Sequence, residues 1–267
     1  MNQDQVKELL LSVKDCETDF TLIFSGKKST QVNGLYKPLT REIVIHNRNF
    51  ENDNQLIYTS LHEYAHHLHA EAHRFEGISR AHSSEFWSIF HELLELAEAS
   101  GRYRNVFDES EEFADLTERI KANCVEQNGK VMLEFGRLMI EAEALCRKHF
   151  ARFEDYVDRV LQIPRVTASA AIRAFRVEVP PALGWDNMKF VSAIRDPGER
   201  SRAIEAFESG KSPDSVRSLS SRRANASEDP IVALAREKQR VERTIESLKA
   251  RLARIEDELE RAKEGGQ

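Results

Sequence analysis

The chain has 267 residues, 40% apolar and 31% charged, with a formal net charge of -6 and a mean hydropathy of -0.54. That length suits two modest domains and a tail, and no apolar run approaches the roughly 18 residues that a membrane span needs. The opening MNQDQVKELLLSVKDC lacks a basic leader and a small-residue cleavage site, and Cys16, Cys124 and Cys146 form no CxxC pair. Reduced thiols in a cytoplasmic protein with no membrane partner are therefore expected.

Val6, Leu9, Leu10 and Val13 recur at helical spacing and predict an amphipathic helix over 3–14. DFTLIFS (19–25) and REIVIH (41–46) are β-rich runs, with a further strand expected over 31–36, punctuated by Gly26, Asn33-Gly34 and Pro38. Asn52 or Asp53 then caps a helix running to about His73, and Ser83 or Ser84 caps another over 84–99, which Gly101 ends. Helix, strands, helix, helix within about one hundred residues describes a small α+β unit.

After Asp108 strands disappear. Amphipathic helices are expected near 110–125, 130–149, 151–162, 167–176, 185–195, 198–208 and 212–221, with Asn128-Gly129 among the breaks between them. A polar stretch around 222–229 reads as a linker. Beyond Pro230 a heptad seam takes Ile231, Lys238, Ile245, Leu252 and Leu259 at one position and Leu234, Val241, Leu248 and Ile255 at the other. Such a seam predicts a coiled coil over 230–264 and a homo-oligomer built through it.

The chemistry lies in His62-Glu63-Tyr64-Ala65-His66. Histidines four apart on a helix stack one turn apart on one face, close enough to share an ion. Neutral imidazoles suit zinc, and Glu63 beside them can take a proton from an activated water. The opposite face, with Leu56, Ile57, Leu61 and Leu68, is apolar and would bury the helix against a core. Tyr64 points away from the ion, His67 and His69 read as outward or supporting residues, and His91 and His149 as structural ones. Spacing leaves the third ligand open. A histidine six residues after His66 is lacking, since Ala72 stands there, and His69 and His73 lie near the wrong turn; His82 and Glu85 follow His66 by 16 and 19 residues.

Taken together, NGLYKP…REIVIH, HEYAHH and HSSEFW resemble the SprT-like zinc metallopeptidases and their WLM and YgjP-like relatives, over about residues 20–100. The resemblance implies a mini-zincin core over 1–107, zinc held by His62, His66 and His82, Glu63 as general base, and a protein or peptide substrate. Glu85 is the alternative third ligand. Ser83 stands where the SprT pattern commonly has glycine, which fits the YgjP-like variant.

FARFEDYVDRVLQIPRVTASAAIRAFRV (150–177) has the form of a helix-turn-helix, in which Ala168, Ala170 and Ala171 allow a close crossing and Arg165, Ser169 and Arg173 could face phosphates or bases. With the helices after it, the segment is similar to ParB-like DNA-binding proteins over about 131–221. That resemblance implies DNA as a partner of the 108–221 region; an ordinary docking bundle is the competing reading. Residues 164–228 are the one net basic portion, with 11 Lys and Arg against 8 Asp and Glu. The expected architecture is thus α+β, with a mini-zincin N-terminal domain, an all-α helix-turn-helix-like domain and a C-terminal coiled coil. Its expected function is hydrolysis of peptide bonds in DNA-associated or regulatory proteins. The alternative is a DNA-binding regulator whose zincin domain senses or stabilises.

Overall fold

In the computed structural model, which describes residues 1–75, 81–226 and 230–264, the protein is mostly helical with a small mixed sheet near the N-terminus. Helix α1 (Gln3–Val13) opens with a capping box: Asn2 accepts from the Gln5 backbone and Gln5 accepts from that of Asn2. These reciprocal bonds satisfy two otherwise orphaned donors and direct Val6, Leu9 and Leu10 into the core. Strands β1 (Thr21–Phe24), β2 (Gly34–Lys37) and β3 (Glu42–Ile45) follow. β3 is central, parallel to β1 and antiparallel to β2, with Leu35 opposite Val44 and Tyr36 opposite Ile43.

Helix α2 (Asp53–Ala72) starts where Asn52 accepts from the Gln55 backbone, and α3 (Ser84–Ala99) where Ser83 accepts from that of Phe86. Both caps fall where the sequence places them. The inward stripe of α2 carries Leu56, Ile57, Leu61, Tyr64, Ala65 and Leu68, that of α3 Phe86, Ile89, Phe90, Leu93 and Ala97. They pack on each other and on the sheet in one apolar cluster with Ile43 and Ile45. Burying such side chains contributes about 1.5–3 kcal/mol apiece, so α2 is anchored along its length by the face opposite its paired histidines.

The helical region departs from expectation at Asn128-Gly129. A short α4 (Val106–Glu109) precedes α5 (Glu111–Ile120), which continues through a π-helical turn (Lys121–Glu126) into α6 (Gln127–Lys148) without a break. Gly129 does not end a helix there. It makes room, because a Cβ would sit 2.2 Å from the Pro181 carbonyl oxygen. Gly136 likewise lets α6 meet the Ala171 backbone of α8 (Arg165–Arg176), where an added Cβ would lie 2.3 Å from that carbonyl oxygen.

Before α8, the helix expected over 151–162 is shorter, a turn α7 (Phe153–Asp155) continued by a π-helical turn (Tyr156–Val160). α9 (Trp185–Ala193), α10 (Pro197–Glu208) and α11 (Pro213–Ala226) complete the run. α11 carries helix into the expected linker as far as Ala226; its remainder, 227–229, lies outside the described residues.

Met1–Ser218 form one compact unit, with two apolar clusters in its helical part besides the N-terminal one. Leu219–Gln267 form a second, dominated by α12 (Pro230–Glu264). Val241, Ile245, Leu248, Leu252 and Ile255 lie exposed along that helix; the side chains of Ile231, Leu234 and Leu259 are outside the described set. No helix among the described residues is long and apolar enough to cross a membrane.

Candidate metal centre

Two turns of α2 and the approach to α3 bring three imidazoles together. The Nε2 atoms of His62 and His66 each lie 3.2 Å from Nε2 of His82. A proton on His82 Nε2 could serve both contacts only as one shared, weakened hydrogen bond. A cation would instead engage all three nitrogens at once. A tetrahedral ion with bonds of about 2.05 Å has ligand edges of about 3.3 Å, close to the observed spacing, so this group could bind a metal ion. Aromatic rings hold the imidazoles: Phe86 stacks on His66 with centroids 4.2 Å apart, and Trp87 stacks on His82 at 5.5 Å.

Burial keeps the α2 pair neutral. It lowers the pKa of His62 to about 4, helped by neighbouring His82, and that of His66 to about 3, helped by His62, His82 and His69. Neutral imidazole is the ligand form. Glu63 is shifted the other way: burial raises its carboxyl to about 7, partly offset by a hydrogen bond from the Tyr36 backbone N–H.

That hydrogen bond follows from strand register. His46 donates to the Asn33 carbonyl, so hydrogen-bonded pairs alternate from there, and Tyr36, opposite Ile43, turns its amide to the open edge of β2. Glu63 meets it there. The strand must come close, and Gly34 permits this: a Cβ at 34 would stand 2.7 Å from Cγ and 2.8 Å from Oε1 of Glu63. Asn33-Gly34 reads in the sequence as turn punctuation; its use is close approach. A cleft of about 600 Å³ runs between β2 and α2, with Leu35, Tyr36, Thr59 and the three histidines among its walls.

The other histidines divide. His67 and His69 are buried, contrary to the outward reading. His67 must carry its proton on Nε2, 2.8 Å from the Thr18 carbonyl, which leaves Nδ1 to accept from the Tyr36 hydroxyl at 3.1 Å. It thereby ties α2 to β2. Tyr64 points to the opposite side, donating to the Lys14 carbonyl. Glu85, the alternative third ligand, is grouped with His69 and His73 and not with His62 and His66. This second group could also bind a metal ion, and spacing alone did not flag it because its carboxylate belongs to the next helix. Comparison with protein-family models, curated proteins and solved structures finds no match.

Proposed function

We propose that the chain is a zinc-dependent metallopeptidase of SprT-like type, with His62, His66 and His82 as ligands and Glu63 as general base. The observation that carries this reading is a buried carboxyl on the same helix turn as two imidazoles that converge with a third, at the wall of an open cleft. A carboxylate so placed can accept a proton from an activated water and return it. The three nitrogens would hold zinc, which when bound would supply Lewis-acid activation of water and of a scissile carbonyl. Glu63 accepts the proton of the attacking water on its carboxylate and passes it to the departing amine. Tyr36, through its amide, holds that carboxylate in place, and Gly34 leaves the room for it.

The test is Glu63→Gln in the full chain. Zinc content should be retained while hydrolysis of an unfolded protein substrate falls by at least about 10²-fold, the lower range for a general base. Unchanged hydrolysis would overturn the reading. Chelation should abolish hydrolysis in the wild type and added zinc restore it.

The substrates we propose are DNA-associated or regulatory proteins. Support comes from α8, whose exposed side carries Arg165, Ser169, Arg173 and Arg176 at near-helical spacing. Of these, Arg165 pairs with Asp158, and Arg176 reaches Glu143 at 3.6 Å, which moderates the charge presented. The same stripe favours the second reading, a DNA-binding regulator whose metal domain senses or stabilises. Arg173→Glu separates these ideas from a docking bundle: it should weaken salt-sensitive binding to duplex DNA. Absence of such binding in the wild type would remove DNA from both readings.

A further inference from the structure

The second group lies one helix segment further along α2. His69 and His73 stand four residues apart, their ring centroids 5.0 Å from each other, and Glu85 approaches from the first turn of α3. Nε2 of His73 is 3.0 Å from Glu85 Oε2, and Nε2 of His69 is 4.0 Å from the same oxygen. The Ser83 hydroxyl stands 3.3 Å from the His69 nitrogen. We propose that His69, His73 and Glu85 form a second site for a borderline divalent transition ion of the zinc class, and that this ion pins the start of α3, from which His82 reaches the first site.

Hydrogen bonds account for two of these contacts, His73 with Glu85 at 3.0 Å and His69 with the Ser83 hydroxyl at 3.3 Å. What they leave is the convergence of two imidazole nitrogens on one carboxylate oxygen, at 3.0 and 4.0 Å, an arrangement that three ligands of one ion share. Two imidazoles and a carboxylate select zinc-class ions over calcium or magnesium, which prefer all-oxygen shells. Three protein ligands leave a coordination position for water. The ligand pairs are offset by seven residues on one helix, about 10 Å at 1.5 Å per residue. That is well beyond the roughly 4 Å of a bridged two-metal centre, so the sites are separate.

The mechanical link is short. Ser83 caps α3, Glu85 stands in its first turn, and His82 immediately precedes Ser83. Holding Glu85 against the last turn of α2 fixes the segment that presents His82, so an ion at the second site should raise affinity at the first.

The experiment counts zinc bound by the metal-stripped full chain after titration with Zn²⁺. The wild type should hold two ions, His73→Ala one, His62→Ala one, and the double variant none. His73 is half-exposed and caps the end of α2, so its loss leaves the core intact; Glu85→Gln serves as a second variant and should also hold one. In His73→Ala, affinity at the remaining site should fall about fivefold or more. Mg²⁺ or Ca²⁺ should not fill the second site. Two ions retained in both His73→Ala and Glu85→Gln would overturn the proposal, as would one ion in the wild type that only His62→Ala removes. One ion that only His73→Ala removes would sustain the second site and overturn the first.

Discussion

At the scale of single residues, the site depends on a glycine as much as on its histidines. Gly34→Ala should push Glu63 from the Tyr36 amide, because a Cβ would fall within 3.0 Å of both the carboxylate arm and the Thr59 methyl. A misplacement of about 1 Å can cost about 10²-fold in rate. The variant should therefore lose hydrolysis to that extent with zinc content unchanged, which assay and metal analysis would show together. The paired histidines were legible because spacing of four has one meaning on a helix. Gly34 was not, since its need arises from Glu63, 29 residues later, folding back onto the strand. His91 offers a pH test away from the candidate metal ligands. Its Nδ1 lies 2.6 Å from the Ser212 hydroxyl, and burial lowers its pKa despite the opposing pull of Asp214 and Glu95. The unfolded chain thus takes up this proton first as pH falls below about 6.5, so protonation favours unfolding. Stability should be full above that pH and decline beneath it, and His91→Gln should show a shallower decline of the urea midpoint between pH 7.5 and 5.5.

At the scale of elements, caps and amphipathic stripes carried the reading. Asn52 and Ser83 announce α2 and α3 because their side chains satisfy backbone donors that nothing else reaches. Ser83→Ala should cost about 1 kcal/mol by the loss of that cap, measurable by denaturant unfolding. Asn128-Gly129 misled for a physical reason. A glycine that breaks a helix and one that admits a neighbour look alike until the neighbour is known, and here the neighbour is Pro181, more than fifty residues on. Gly129→Ala should consequently destabilise the helical part by about 1–3 kcal/mol, the usual cost of overpacking, although alanine alone favours helix. A neutral or stabilised variant would show that the contact yields freely. The π-helical turns at Lys121–Glu126 and Tyr156–Val160 had no sequence signature that distinguished them from ordinary helix.

At the scale of the whole molecule, α12 leaves Val241, Ile245, Leu248, Leu252 and Ile255 between 43 and 58% exposed, in alternating steps of four and three. A seam of this kind is stable when a second helix covers it, and we propose that another copy of the chain does so. Leu248→Asp should convert the oligomer to monomer in sedimentation while leaving zinc content untouched; a wild type already monomeric at high concentration would refute the pairing. The outward amide of Tyr36 sits on a sheet edge that pairs with no strand among the described residues, the kind of template that recruits strands from other molecules, and Glu63 accepts from it. The proposed proton carrier would thereby also cap that edge, and Glu63→Ala should precipitate sooner on storage than Glu63→Gln, whose amide oxygen can still accept from it.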